Sequence, residues 1–205
     1  MTDTSAPRQS VYQRVLGDDF AQLAPELQAY FSLPPEGLVG RGSGTYDVAG
    51  SEQRWLAPLL RLMAWRRILF PEWGRGIRFD ITNVPGPGDG LSAHRETHFA
   101  GVTRIMEDTM HVIDGRLHDF LGRRRGLEAR FSLTVRNGVL TMVSDRTWLH
   151  LWGLRIPIPA LFSARVIITE RWDGDAQRVD AKLHNPLFGV VFRYGGRFSY
   201  RYEPL

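Results

Sequence analysis

From residue 76 to the carboxy terminus, apolar and polar residues alternate with a period of two, in short runs separated by turn residues. That period belongs to β-strands, whose successive side chains point to opposite faces. GIRFDITNV leads into the turn PGPGDG and then LSAHRETHF. TRIMEDTMHVI is followed by Asp114-Gly115 and the short RLHDFLG. LEARFSLTV runs into Asn137-Gly138, the strongest hairpin signal in the chain, and on to VLTMVSDRTWLHL. ARVIITERW, the turn Asp173-Gly174-Asp175, RVDAKLH and, past Asn185-Pro186, VVFRYGGRFSYRY complete the series. About eight to ten strands joined mostly by short turns are antiparallel neighbours. GLRIPIPALF is excluded as a central strand, because Pro157 and Pro159 each remove a ladder donor.

The final run alternates most cleanly. Val190, Phe192, Tyr194, Phe198, Tyr200 and Tyr202 share one face, while Val191, Arg193, Arg197, Ser199 and Arg201 share the other. Burying six such side chains is worth on the order of 10 kcal/mol before entropy, so the aromatic face needs cover. Closure into a barrel, or wrapping of a curved sheet around helices, supplies it. The expected fold class is mainly β (α+β): an antiparallel β-barrel or strongly curved sheet, lipocalin-like or fatty-acid-binding-like, with N-terminal helices. Such an analogy of fold does not fix function.

Ahead of the strands, residues 1–9 are polar and expected to be disordered. The remainder, 10–205, reads as one domain with a helical preface over 10–33. Ser10 caps a helix over 11–16 that ends at Gly17, Asp18 and Asp19 cap a further turn, and Pro25 begins a helix over 25–31. Residues 38–48, LVGRGSGTYDV, read as a Gly-rich strand. Residues 51–70 form the second helical region, with Ser51 as a candidate cap and Pro58 marking a kink or the true first turn. It is apolar on most sides, with Arg61, Arg66 and Arg67 on the remainder. It reads either as a helix packed on the sheet or as a lid or interfacial basic helix.

Composition narrows the function classes. The absence of cysteine excludes disulfides, cysteine metal sites and a cysteine nucleophile, and fits a reducing compartment. MTDTSAPRQS has no signal-peptide core, and no apolar run approaches the roughly 18 residues of a membrane span. A soluble, cytoplasmic protein, not an integral membrane one, is expected. The net charge of +4 comes almost wholly from arginine, since Lys182 is the only lysine. That bias is most simply a coding bias of a GC-rich genome. The arginines are spread along the chain apart from the run Arg123, Arg124 and Arg125, and no nucleic-acid-binding motif accompanies them, so a nucleic-acid partner is not expected.

Several segments in the same order resemble a bacterial family known only as domain of unknown function 4166. They are VLGDDFAQLAPELQAYF, GRGSGTYDV, RETHF at Arg95–Phe99, MHVIDGRLHDFLG, the Pro157–Pro159 segment, ITERWDGDAQRVD and NPLFGVVFRYGGRFSY. The resemblance spans residues 11–200. It implies a unit that works beside metabolic enzymes, since members also occur fused to dehydrogenase domains, and it supplies no catalytic residues.

On the strand holding HRETHF, His94, Glu96 and His98 point one way, and Arg95, Thr97 and Phe99 the other. The His-Glu-His set could serve a metal or proton relay, but a third ligand close in sequence is missing and a solvated outer face is the simpler reading. Arg95 sits on the inner face, where an arginine must be paired. Glu170, in line with Val166, Ile168 and Trp172, and Asp108, between Met106 and Met110, are carboxylates on apolar faces. Either is an ion-pair partner of Arg95 or a general acid/base. Met106, Met110, Phe99, Trp148, His184 and Tyr194 are the candidates for lining a ligand cavity, with Tyr200 another aromatic that could project there. GRGSG at residues 40–44 is no dinucleotide fingerprint, and Walker, serine-hydrolase and zinc-protease signatures are absent. No metal or cofactor is expected.

Three functions follow as expectations. The first is binding of a small apolar or lipid-like metabolite in an internal cavity. The second is a cofactor-independent cyclase or isomerase in which Arg95 orients the ligand and Glu170 or Asp108 transfers a proton. The third is an interaction domain docking on a partner dehydrogenase.

Overall fold

A computed structural model describes residues 8–205. The first seven of the nine residues expected to be disordered lie outside the described residues. The helical preface follows the sequence closely. α1 spans Val11–Leu16, where the Ser10 Oγ accepts from the Gln13 N–H at 3.1 Å and the Gln13 Oε1 accepts from the Ser10 N–H at 2.8 Å. This capping box satisfies two orphan donors at once. A 3₁₀ turn over Gly17–Gln22 leads to α2, Pro25–Phe31, with its proline in the first turn.

The strands are β1 (Leu38–Gly50), β2 (Trp73–Pro85), β3 (Leu91–Phe99), β4 (Val102–Ile113), β5 (Arg116–Leu121), β6 (Leu127–Arg136), β7 (Val139–Leu151), β8 (Leu154–Pro157), β9 (Arg165–Trp172), β10 (Gln177–Asn185) and β11 (Gly189–Pro204). All pairings between them are antiparallel. Sequence neighbours pair around the ring, β9 joins β7, and β6–β7 and β1–β11 pairings leave no gap. The fold is a closed ten-strand antiparallel β-barrel. β8 lies outside the ring, along the second half of β7 from Trp148↔Pro157 to Leu151↔Leu154. A proline there sits at an edge, as its missing donor requires.

Between β1 and β2 the chain forms a 3₁₀ turn over Arg54–Leu56 and then α3, Ala57–Trp65. The helix is shorter than the 51–70 reading. Pro58 stands in its first turn, where no bond is lost, and Arg67 at φ 59° closes its end. Ser51 does not cap it; its Oγ instead accepts from the Gln53 N–H at 3.2 Å.

The two barrel ends differ. Turns 86–90, 114–115, 137–138 and 173–176 share one end with α1 and α2. There Leu23 bridges Gly138, the Ala24 N–H donates to the Gly138 carbonyl at 3.2 Å, and the Tyr202 hydroxyl donates to the Ala29 carbonyl. The opposite end gathers α3 with the connections 100–101, 122–126, 152–164 and 186–188. Gly40, Gly42 and Gly44 of β1 face inward. A Cβ on Gly40 would run into the Tyr200 ring, and one on Gly44 would lie 2.1 Å from the Arg197 carbonyl oxygen. The glycines therefore let β11 and its aromatic rings press against β1. Tyr46 stacks on Phe79 beside them, centroids 3.8 Å apart.

Outward positions carry Asp80, Glu96, His98, Arg171, Arg178, Asp180 and Lys182, not the apolar band that a membrane-spanning barrel presents. Among the described residues no helix is long and apolar enough to cross a membrane.

Candidate functional site

The ring encloses a cavity of about 490 Å³, within the range of small-molecule sites. Strand alternation determines what faces it. β4 turns Met106, Asp108 and Met110 inward, β5 turns in Asp119, and β9 turns in Val166, Ile168 and Glu170. On β3, Arg95 points inward and His94, Glu96 and His98 point out. Leu60, Met63, Ile68, Val166, Ile168 and Phe192 form apolar walls toward the α3 end. Toward the closed end, Tyr12, Tyr30, Tyr46 and Tyr194 surround a buried polar cluster of Arg95, Asp108, Asp119 and Glu170.

Arg95 donates through Nη1 to the Asp108 Oδ2, so its expected partner is Asp108, not Glu170. The other Asp108 oxygen, Oδ1, is buried without a hydrogen-bond partner, as is the Asp119 Oδ1. Burial pushes the Glu170 carboxyl up to about 7, although a hydrogen bond from the Gln177 Nε2 at 2.5 Å and the charge of Arg95 pull the other way. Burial, reinforced by the neighbouring Asp108 charge, holds the Asp119 carboxyl well above the usual carboxylate range. Burial likewise lifts the Tyr194 phenol to about 12. The cluster therefore has one cation for three carboxyl groups. Glu170 can exchange a proton near neutrality.

The structure brings Arg95, Asp108, Glu170, Met106, Met110 and Tyr194 to this one cavity. Three further candidates lie elsewhere. His184 is exposed, because β10 turns Val179, Ala181 and Leu183 inward and its even-numbered residues out. Phe99 ends β3 and packs edge-on against Phe70, with centroids 5.2 Å apart, outside the cavity wall. Trp148 is buried on the outer face: the irregularity between Arg130 and Phe131 in the β6–β7 register shifts the alternation, so Thr147 lines the cavity instead. A bulge at Val191 similarly turns Val191 inward and leaves Val190 exposed.

Around Trp148 is a second cluster that residue spacing gave no reason to assemble. Glu128, buried on β6, accepts from the His118 Nδ1 and the His150 Nε2 at 2.6 Å each, and from the Arg155 Nη2 and Nε at 2.7 and 2.9 Å. Arg155 lies over the Trp148 ring, 3.8 Å from its centroid. Burial would raise the Glu128 carboxyl, but the hydrogen bonds from Arg155, His150 and His118 bring it down to about 2. Every acceptor site there is filled, so the cluster ties β5, β6, β7 and β8 together and leaves nothing for a ligand.

Asp119 and Gln177 also escaped sequence reasoning. The Asp114-Gly115 turn pairs Ile113 with Arg116 and so sets Asp119 opposite Met110, a register that could have revealed Asp119. Among the described residues no group of three or more His, Cys, Asp or Glu side chains could hold a metal ion.

A model of the family described as domain of unknown function (DUF4166) matches residues 23–198. The uncharacterized protein YndH of Bacillus subtilis (strain 168) is 27% identical over 200 residues, covering 93% of this chain and 96% of that protein. The crystal structure of Rv2717c from M. tuberculosis is 14% identical with a TM-score of 0.44, covering 87% of this chain and 99% of that one.

Proposed function

We propose that this chain, which belongs to the DUF4166 family, holds a small amphipathic metabolite inside its barrel, tail against the apolar walls and polar head at the Arg95 cluster. The observation that supports this best is the cavity of about 490 Å³, apolar toward the α3 end and with the Arg95, Asp108, Asp119 and Glu170 cluster beyond it. The balance of groups also selects the head. Arg95 is already engaged by Asp108, so a guest carboxylate would add a further negative charge to a site with three carboxyl groups. A hydroxyl or amine can instead donate to the Glu170 carboxylate, which lines the cavity.

The test compares ligands of one chain length. At pH 8, 1-dodecanol or dodecylamine should bind at least about tenfold more tightly than dodecanoate, a difference of about 1.4 kcal/mol. Preferred binding of dodecanoate would reverse the assignment, and failure of all three to bind would remove the cavity reading.

A second reading is favoured by Glu170, whose carboxyl titrates at about 7 inside the same cavity. In it the barrel is a cofactor-independent cyclase or isomerase that uses Glu170 for proton transfer. Glu170→Gln separates the two: a binding protein keeps its ligand affinity within a few-fold, whereas an isomerase loses turnover by about 10²-fold or more while still binding.

A further inference from the structure

The large exposed apolar side chains are not scattered. Trp55, Leu62, Trp65, Trp152, Phe162 and Phe188 are all exposed and all belong to the barrel end that carries α3. At the closed end only Ile113 and Leu205 are comparably exposed among the described residues. Trp65 is 67% exposed, Phe162 74% and Trp152 90%, in a chain with six tryptophans. Exposed apolar side chains gathered at one end, with Trp55 and Phe188 in edge contact at 4.6 Å between centroids, mark an interaction surface.

The charge at this end has one sign. Glu52, Glu72, Glu107 and Glu128 are each already held by an arginine: Arg193, Arg104, Arg67 and Arg155. Arg61, Arg66, Arg123, Arg124, Arg125 and Arg165 have no carboxylate within ion-pair distance among the described residues. Backbone contacts bring Arg66 of the α3 end to the run Arg123–Arg125: the Arg123 N–H donates to the Arg66 carbonyl at 2.8 Å, and the His150 N–H to the Gly126 carbonyl at 2.8 Å. These place the α3 end, the arginine run and the β7–β8 hairpin side by side. Several of the apolar side chains, Trp55, Phe162 and Phe188, are also cavity-lining residues, so the rim is the mouth.

From this arrangement we infer that the open end of the barrel docks on an anionic lipid surface, with Trp55, Trp65, Trp152 and Phe162 entering the interface and the arginine ring meeting the headgroups. Aromatic side chains belong at that boundary, and cations beside them add attraction to acidic lipids. A nucleic acid would use the arginines and leave the aliphatic and aromatic rim in water, which makes it the poorer match. Docking rests on this surface alone. Only the corollary, that a guest passes between the bilayer and the cavity, rests on the proposed function.

Flotation with phosphatidylcholine vesicles, with and without 30 mol% phosphatidylglycerol, tests it. The full chain should float with the acidic vesicles and be released by salt. R61E/R124E should lower the partition constant by at least about twentyfold, since each arginine lost near such a surface is worth about fivefold. R14E/R136E, exposed at the closed end and equal in charge change, should leave it within about twofold. L62S/W65S should lose most of the quenching by brominated lipid. Absence of flotation, equal binding to neutral vesicles, or equal loss with R14E/R136E would overturn docking. So would arginine-dependent binding of an RNA oligomer without vesicle binding. Nile red binding in vesicle-free solution is read in parallel. Retained dye binding with no flotation sinks docking alone, and flotation without dye binding sinks the cavity reading alone.

Discussion

At the residue scale, two buried glutamates show how partners set the charge state. Glu170 has one amide donor and a distant arginine, and burial lifts its carboxyl to about 7. Glu128 has four donors and falls to about 2. The two contribute to stability with opposite signs. Glu170 is protonated in both the folded and unfolded chain below pH 4.5. Between 4.5 and 7 the unfolded chain ionises first, so stability drops, by about 3 kcal/mol once the folded carboxyl ionises too. Urea unfolding of the wild type at pH 5 and pH 8 should show this loss together with that from Asp119, whose buried carboxyl is also held high, and Glu170→Gln should shrink the difference by the Glu170 share of about 3 kcal/mol; an unchanged pH slope in the variant would refute the burial of Glu170. Glu128 instead stabilises above pH 4.5 and loses its contribution as pH falls toward 2. Glu128→Gln leaves Arg155 and two histidines short of their carboxylate and should cost about 3 kcal/mol at pH 7, measured by the same unfolding. In the sequence Glu170, Asp108 and Arg95 stood out because each is charged at an apolar inward position. Glu128 gave no such sign: it lies outward, and its burial depends on Arg155 arriving from β8.

At the element scale, alternation and turn chemistry were enough to place the strands, because each period-two run ends in Gly, Asn, Asp or Pro. They failed where one extra residue breaks the period. The irregularity after Arg130 sends Trp148 outward, and the bulge at Val191 exchanges Val190 for Val191. Nothing in a single run of residues announces a bulge, since it depends on the partner strand. The Gly-rich segment 40–44 was legible as a strand but not in its purpose, which is to let β11 approach closely. Gly44→Ala forces a methyl against the Arg197 carbonyl and the Phe198 side chain. It should destabilise by about 2 kcal/mol, while Ser43→Ala on the exposed side of the same strand stays within about 0.5 kcal/mol in a paired thermal melt.

At the scale of the whole molecule, the account turns on an interior left open after the barrel closes. Closure into a barrel, or wrapping of a curved sheet around helices, was expected from the amount of aromatic surface on β11, and the structure closes the ring. That one end is plugged by α1 and α2 while the other carries an exposed apolar rim follows only from the assembled topology. The chain supplies its own reporters of the interior: of five methionines, Met63, Met106, Met110 and Met142 line the cavity, and Met1 does not belong to the described residues. With the methionine methyls labelled by ¹³C, titration with 1-dodecanol should shift or broaden the signals of all four, while a Met110→Leu variant assigns the one beside Tyr12 at the plugged end. Saturation with the alcohol that leaves these four signals unmoved would contradict a guest inside the barrel.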